Sequence, residues 1–141
     1  MTSPFRTHGS MSWQELGTSE PDVAMRFYQK VFGWNYSTLQ LPHGDYHLIE
    51  NQGVNIGGIS ENLCPTLPNS WTGYVTVDDV DHTAITAREL GGEIVYGPED
   101  IPQVGRFCWI KDPTGAIIAA ISYRQCVHAA QSPSDNEQSN E

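Results

Sequence analysis

Basic side chains are scarce in this chain: 7 Lys and Arg stand against 17 Asp and Glu, a formal net charge of −10 over 141 residues. That deficit argues against nucleic acid and anionic membrane surfaces as partners, since both are held through clusters of Lys and Arg. Long apolar runs are missing too. No stretch approaches the roughly 20 apolar residues of a membrane helix, and the opening MTSPFRTHGS lacks the apolar core of a signal peptide. The expectation is a cytoplasmic protein. Cysteine is sparse as well: Cys64, Cys108 and Cys126 are odd in number and far apart, which fits neither a disulfide framework nor a CxxC zinc site. They are expected to be reduced thiols, with Cys108 packed in a strand.

The length suits one domain. Residues 1–11 mix Ser, Thr, Pro and Gly without apolar periodicity, and residues 125–141 form an acidic tail without Lys and with no Arg. Both are expected to be flexible, because neither can bury enough apolar surface to offset chain entropy.

Between these ends the sequence repeats. At an offset of 58, Trp13 meets Trp71, Thr18 meets Thr76, Gly33 meets Gly91, Gly57 meets Gly115 and Ile59 meets Ile117. Two copies are too few for a solenoid and imply a duplicated unit sharing one core. Each copy, 12–60 or 71–123, opens on a strand (WQELGT or WTGYVTV) and passes into a helix. The helices are expected near 20–32 and 80–90. Thr18 or Ser19 is suited to cap the first, and Pro21 to open it. Asp78, Asp79 and Asp81 start the second, where acid meets the helix dipole. Apolar residues recur at Val23, Phe27 and Val31 in the first helix and at Val80, Ala84 and Ala87 in the second. Gly33 and Gly91 read as left-handed stops. Three apolar segments follow each stop, and DPTG before the last reads as a tight turn. The fold class is therefore α+β: two βαβββ repeats whose curved mixed sheets are expected to enclose a central concave pocket.

The phrases WQELGT, FYQKVFGW, GGI, WTGYVTVDDVD, LGGEIVYGPEDIPQVGRF and KDPTGAIIAAI occur in order and at repeat spacing. Together they resemble the vicinal oxygen chelate superfamily of glyoxalase, bleomycin-resistance and extradiol-dioxygenase proteins, and in particular its small glyoxalase-like members. The resemblance covers residues 12–123. It implies a hollow that holds either a divalent metal chelating neighbouring substrate oxygens or a small molecule without metal, and it implies a homodimer. In metal-dependent members the ligands are His, Glu or Gln on the first and last strands of each repeat. The matching positions here are Trp13, Thr72, Ala119 and, by repeat equivalence, Glu61 or a neighbour. A lone carboxylate does not hold a catalytic divalent ion, so neither metal nor cofactor is expected. An unorthodox set of Glu15, His47 and Glu61 is the alternative. His8, His43, His82 and His128 make no helical zinc pair.

Strand alternation puts Trp13 with Glu15, Thr72 with Tyr74, and Phe107 with Trp109 on common faces. If these faces are concave they line an aromatic pocket with a few polar handles, suited to a planar or partly apolar ligand. The competing reading is that the aromatics fill the core. Arg106 and Lys111 flank this strand, where a solvated face and a salt bridge are the simpler roles. Three functions are in contention. The first is a metal-independent small-molecule binding protein. The second is a lyase or isomerase with Glu15 as general base, its charge disfavoured by burial beside Trp13, or a dioxygenase. The third is an interaction module acting through the tail or a sheet edge.

Overall fold

The computed structural model describes residues 3–42 and 44–124. A 3-10 turn, η1 (Pro4–Arg6), precedes β1 (Met11–Thr18), α1 (Pro21–Phe32), β2 (Asn35–Leu41), β3 (Gly44–Asn51) and β4 (Val54–Glu61). The pattern then recurs as β5 (Ser70–Thr76), α2 (Val80–Glu89), β6 (Glu93–Ile101), β7 (Gly105–Lys111) and β8 (Ile117–Tyr123). The eight strands and two helices stand where the sequence placed them, and the chain divides into two compact units.

The Trp13–Gly73 unit orders its strands β2-β3-β4-β1, with β1 parallel to β4 and the other pairs antiparallel. Its core is Leu16, Ile49 and Ile59, against which Ala24, Met25 and Tyr28 of α1 pack together with Trp34 and Tyr36. Pro21 occupies the first turn and Gly33 closes the helix at φ 79°, as expected. The cap differs from expectation: Glu20 is the N-cap residue, while the Thr18 hydroxyl accepts the Glu20 N–H at 3.1 Å.

The helix also faces the sheet differently from what its strongest stripe suggests. Val23, Phe27 and Val31 are 51, 58 and 52 % exposed, and no residue of α1 is buried. A second stripe, Ala24, Tyr28 and Phe32, runs one residue further round, about 100° away. Ala24 and Tyr28 take the sheet. Two adjacent apolar stripes satisfy the same periodicity, so periodicity could not choose between them.

The other unit comprises residues up to Ser12 and from Tyr74 onward. Its strands run β5-β8-β7-β6, with β5 parallel to β8 and the rest antiparallel. Here the expected stripe does pack. Val80 and Ala84 join Val77, Cys108 and Ala120 in the core, and Asp79 caps α2 by accepting the His82 N–H at 3.1 Å. Burial pushes the Cys108 thiol above its ordinary range, which suits an inert packing role. In the DPTG turn the Asp112 carboxylate accepts from Thr114 and Ala116 N–H groups, and Gly115 takes φ 99°.

The described part of residues 1–11 is joined to the end of β5 by backbone hydrogen bonds. Gly9 donates to the Thr76 carbonyl and Thr76 N–H to that of Ser10, so backbone pairing replaces the missing apolar burial. The Thr76 hydroxyl adds a 2.7 Å bond to the Pro4 carbonyl. His43, Cys126, His128 and the tail 125–141 lie outside the described residues.

Candidate functional site

In both units the helix covers one face of the strands, and Trp13, Glu15, Tyr74, Phe107 and Trp109 occupy the other. Leu16, Ile59 and Ile49 point to α1, so Trp13 and Glu15, alternating with Leu16 along β1, point away from it. Likewise Cys108 and Ala120 pack in the core with α2, while Tyr74, Phe107 and Trp109 take the opposite side.

Glu15 is only 7 % exposed. A buried carboxylate is tolerated when hydrogen bonds replace its water. One comes from Tyr46 on β3, whose hydroxyl donates to Glu15 Oε1 at 3.0 Å and itself accepts the Trp13 indole N–H at 2.8 Å. Indole, phenol and carboxylate thus form a directed chain, Trp13 to Tyr46 to Glu15.

The strand between makes room for it. Gly58 is the Cα partner of Glu15 on β4, and a β-carbon there would overlap the Tyr46 ring and hydroxyl. Gly58 has no positive φ. Its small size is what matters, because only a bare backbone lets the phenol cross.

Strand pairing also corrects the repeat register. Glu15 pairs with Gly58, and Tyr74 pairs with Ala119, each across a parallel first-to-last strand contact. Glu15 and Tyr74 are therefore equivalent, an offset of 59, and Gly58 and Ala119 are equivalent, an offset of 61. Trp13 matches Thr72. Tyr46, opposite Ser60, matches Phe107, opposite Ile121. The position matching Ala119 is Gly58, not Glu61. The unorthodox set fails too: His47 alternates with Tyr46 and pairs with Ile59 on the helix side, where it meets Thr38 at 2.9 Å. Glu15 is on the other face.

In the second unit the Trp109 indole N–H donates to the Tyr74 hydroxyl at 3.1 Å. Phe107 lies 6.4 Å from Tyr74 and is stacked 5.7 Å from Tyr96. Tyr74, Phe107 and Trp109 are each 3 % exposed. Arg106 is engaged elsewhere, bonding Asp81 at 2.9 Å and Asp100 at 3.1 Å. The Arg106 guanidinium bonded to Asp81 holds its carboxyl below the usual carboxylate range. A separate cavity of about 240 Å³, bounded in part by Phe5, Arg6, Asp78 and Arg124, involves none of the predicted site residues.

The model of the Glyoxalase/Bleomycin resistance protein/Dioxygenase superfamily matches residues 10–119. The chain belongs to that superfamily. It is 40 % identical over 114 residues to "Putative glyoxylase CFP32" of Mycobacterium bovis, covering 80 % of this chain and 44 % of that protein. It is 26 % identical over 126 residues to the anthracycline biosynthesis protein DnrV of Streptomyces peucetius, covering 79 % and 46 %. The chain therefore spans a little under half the length of these curated relatives.

Among solved structures it shares its fold with methylmalonyl-CoA epimerase from Mycobacterium tuberculosis (TM-score 0.59, 15 % identity, 88 % of this chain and 95 % of that one). The hypothetical protein BH1468 from Bacillus halodurans C-125 is similar (TM-score 0.61, 10 % identity, 84 % and 96 %).

With the register corrected, the superfamily's metal positions correspond to Trp13, Gly58, Thr72 and Ala119. An indole whose N–H is given to Tyr46, a glycine, a threonine hydroxyl and an alanine do not make the set of imidazole and carboxylate donors a catalytic divalent ion requires. Among the described residues no three His, Cys, Asp or Glu side chains gather into an alternative. The superfamily's metal does not fit these positions.

Tyr46 is the functional candidate that sequence reasoning missed. Aligning DYHLIE with RFCWIK by alternation would have found it, since Tyr46 is to β3 what Phe107 is to β7.

Proposed function

We propose that the chain is a metal-independent small-molecule binding protein of the glyoxalase/bleomycin-resistance type, holding a planar or partly apolar ligand. Trp13, Glu15, Tyr46 and Thr72 are its ligand-facing groups in the Trp13–Gly73 unit; Tyr74, Phe107 and Trp109, each 3 % exposed, hold the corresponding positions of the other unit and serve as packed support rather than ligand contacts. The observation that carries this reading is the Trp13–Tyr46–Glu15 chain on the face that α1 leaves uncovered. An indole supplies a stacking surface and a carboxylate a strong acceptor, the two features by which a site orients a polar aromatic molecule. Native mass spectrometry of freshly purified protein tests it. A small molecule should accompany the wild type and be depleted in Trp13→Ala, with the fold intact by circular dichroism. Equal retention in both proteins, or wild type free of any ligand and unresponsive to a panel of aromatic acids and quinones, counts against it.

The second reading is acid–base chemistry as a lyase or isomerase, favoured by the phenol that Tyr46 directs at buried Glu15. Glu15 would take a proton from a carbon next to a carbonyl. Deuterium uptake from D2O into methylmalonyl-CoA, the substrate class named for the solved epimerase neighbours, is the assay. Uptake that Glu15→Gln abolishes supports this reading; none in the wild type removes it for that substrate.

A further inference from the structure

We propose that the cavity of about 240 Å³ beside Arg6 and Arg124 is a second ligand site, one that takes a small aromatic monocarboxylate. It belongs wholly to the unit of residues up to Ser12 and from Tyr74 onward, and it does not rest on the Trp13–Tyr46–Glu15 chain. Its walls are η1, the residues where the chain leaves β5, and the end of β8.

Hydrogen bonds hold those walls in place. The Thr76 hydroxyl has one proton and gives it to the Pro4 carbonyl at 2.7 Å, because a carbonyl can only accept. Ser12, 2.8 Å from Thr76, then donates to it, and the Tyr123 hydroxyl, 2.9 Å from Ser12, donates to Ser12 in turn. This relay ties η1 to both strands. Phe5 meets Tyr123 edge-on at 5.1 Å and makes the wall aromatic. Backbone bonds from Gly9 to Thr76 and from Arg124 to Val104 fix the segments that carry the two arginines. The protons of Thr76 and Tyr123 are committed within the wall, so recognition of charge falls to the guanidiniums.

The charge of the site selects its ligand. The chain has 7 basic residues, and Arg6 and Arg124 both border this cavity. Arg106 is engaged by Asp81 and Asp100, whereas Arg6 and Arg124 form no ion pair among the described residues. Asp78 is the carboxylate of the lining. Two guanidiniums against one carboxylate leave one surplus positive charge in a chain of net charge −10. A monoanion neutralises that surplus, while a dianion would overshoot it and face Asp78. The planar fork of a guanidinium matches a carboxylate through two parallel bonds, and the Phe5 and Tyr123 rings offer an aromatic ligand edges and faces. A volume of about 240 Å³ falls just below the roughly 300 to 1,000 Å³ of drug-sized sites, which limits the ligand to about one substituted ring.

Sodium benzoate is the probe. Titrated into the 15N-labelled full chain with sodium chloride holding the ionic strength constant, it should give saturable amide shifts at Arg6, Val77, Asp78 and Arg124, with Kd on the order of 1 mM. Arg6→Gln and Arg124→Gln should each weaken binding about tenfold, as loss of a charged hydrogen bond does, with unchanged thermal melts because both side chains are exposed. Arg88→Gln removes the same charge from exposed α2 surface and should leave binding as it was. Inorganic phosphate should bind more weakly than benzoate. The proposal is overturned if benzoate gives no saturable shifts, or if they fall at Trp13 and Glu15 instead. It is equally overturned if Arg88→Gln weakens binding as much as the other two, or if phosphate binds as tightly. Should Arg6→Gln or Arg124→Gln unfold the chain, Arg6→Lys and Arg124→Lys, which keep the charge and lose the fork, decide in their place: binding should weaken about threefold, and unaltered binding overturns the proposal.

Discussion

Replacing Gly58 by alanine tests the geometry of the candidate site most directly. The new methyl group would occupy space now held by the Tyr46 hydroxyl and ring edge. An aromatic ring cannot fold aside as a long aliphatic chain can, so either β4 shifts or the phenol leaves Trp13 and Glu15. Overpacking costs about 1 to 3 kcal/mol, and each hydrogen bond lost adds about 0.5 to 1.5 kcal/mol, more where the acceptor is charged. We expect a loss near 2 to 3 kcal/mol. With a urea m-value of about 1 to 3 kcal/mol/M, the unfolding midpoint should fall by about 1 to 2 M.

The informative measurement is the same change in a Tyr46→Leu background. Leucine stops short of Gly58, and the backbone there has no positive φ. Gly→Ala should then become neutral or stabilise by about 0.4 to 1 kcal/mol through the unfolded chain. The sign of the effect reverses, a coupling of about 3 kcal/mol, at the upper end for residues in contact. Gly57→Ala is the control: a β-carbon there meets the Gln14 carbonyl at 2.6 Å, a backbone clash that removing the phenol cannot relieve. If Gly58→Ala is harmless, or equally harmful with and without Tyr46, the phenol does not cross Gly58 and the proposed chain to Glu15 is wrong.

Trp109→Ala should cost roughly 3 to 5 kcal/mol of stability, the value for a closed core, because the ring is 3 % exposed and bonded to Tyr74; a urea midpoint close to wild type would make it a ligand anchor instead. The lowered pKa of Asp81 contributes stability that is full above its unfolded value and lost as pH falls through the lower folded value. Arg106→Met should therefore flatten the acid limb of a melting-temperature profile between about pH 5 and pH 2, and an unchanged limb would show that Arg106 does not set it. Dialysis against Ni, Zn, Mn or Fe followed by elemental analysis should leave well under one ion per chain, since the superfamily positions lack donors; near-stoichiometric metal would refute that.

What the sequence made legible was local. Gly33 demanded a left-handed cap, Pro21 a first turn, the acidic run Asp78, Asp79 and Asp81 a helix start and DPTG a turn; each rests on the chemistry of a few residues, and each stands in the structure. The alternation that grouped Trp13 with Glu15 and Phe107 with Trp109 was equally local. What failed needed information from further away. A constant offset of 58 matched Gly57 to Gly115, yet one lies in β4 and the other in the turn before β8. Connections of unequal length move the offset to 59 at the first strands and 61 at the last. The fourth metal position slid accordingly from Gly58 to Glu61. The packed face of α1 was ambiguous for a similar reason: neighbouring stripes are both apolar, and only the partner sheet distinguishes them.

The corrected register shows how the two units diverged in chemistry while keeping one plan. Each sends an aromatic hydrogen-bond donor to the residue at the Glu15 or Tyr74 position of its first strand. In one unit the donor is Tyr46, acting from the strand position equivalent to Phe107. In the other it is Trp109, equivalent to Leu48. The second pair is indole to phenol, neutral on both sides, and its members are almost wholly buried, so it contributes like any internal hydrogen bond, about 0.5 to 1.5 kcal/mol. The first ends on a carboxyl group, whose burial is tolerated only at a desolvation cost that packing alone gives no reason to incur. An apolar residue at position 15 would pack as well and avoid that cost. Under the proposed function, this asymmetry places proton transfer or polar recognition in the Trp13–Gly73 unit and leaves the Tyr74 pair a supporting role. It follows that Glu15→Gln, which keeps the shape and removes the charge, should alter ligand binding or turnover far more than Tyr74→Phe does. Side-by-side binding measurements of the two variants check this, and equal losses would mean that the units share the work.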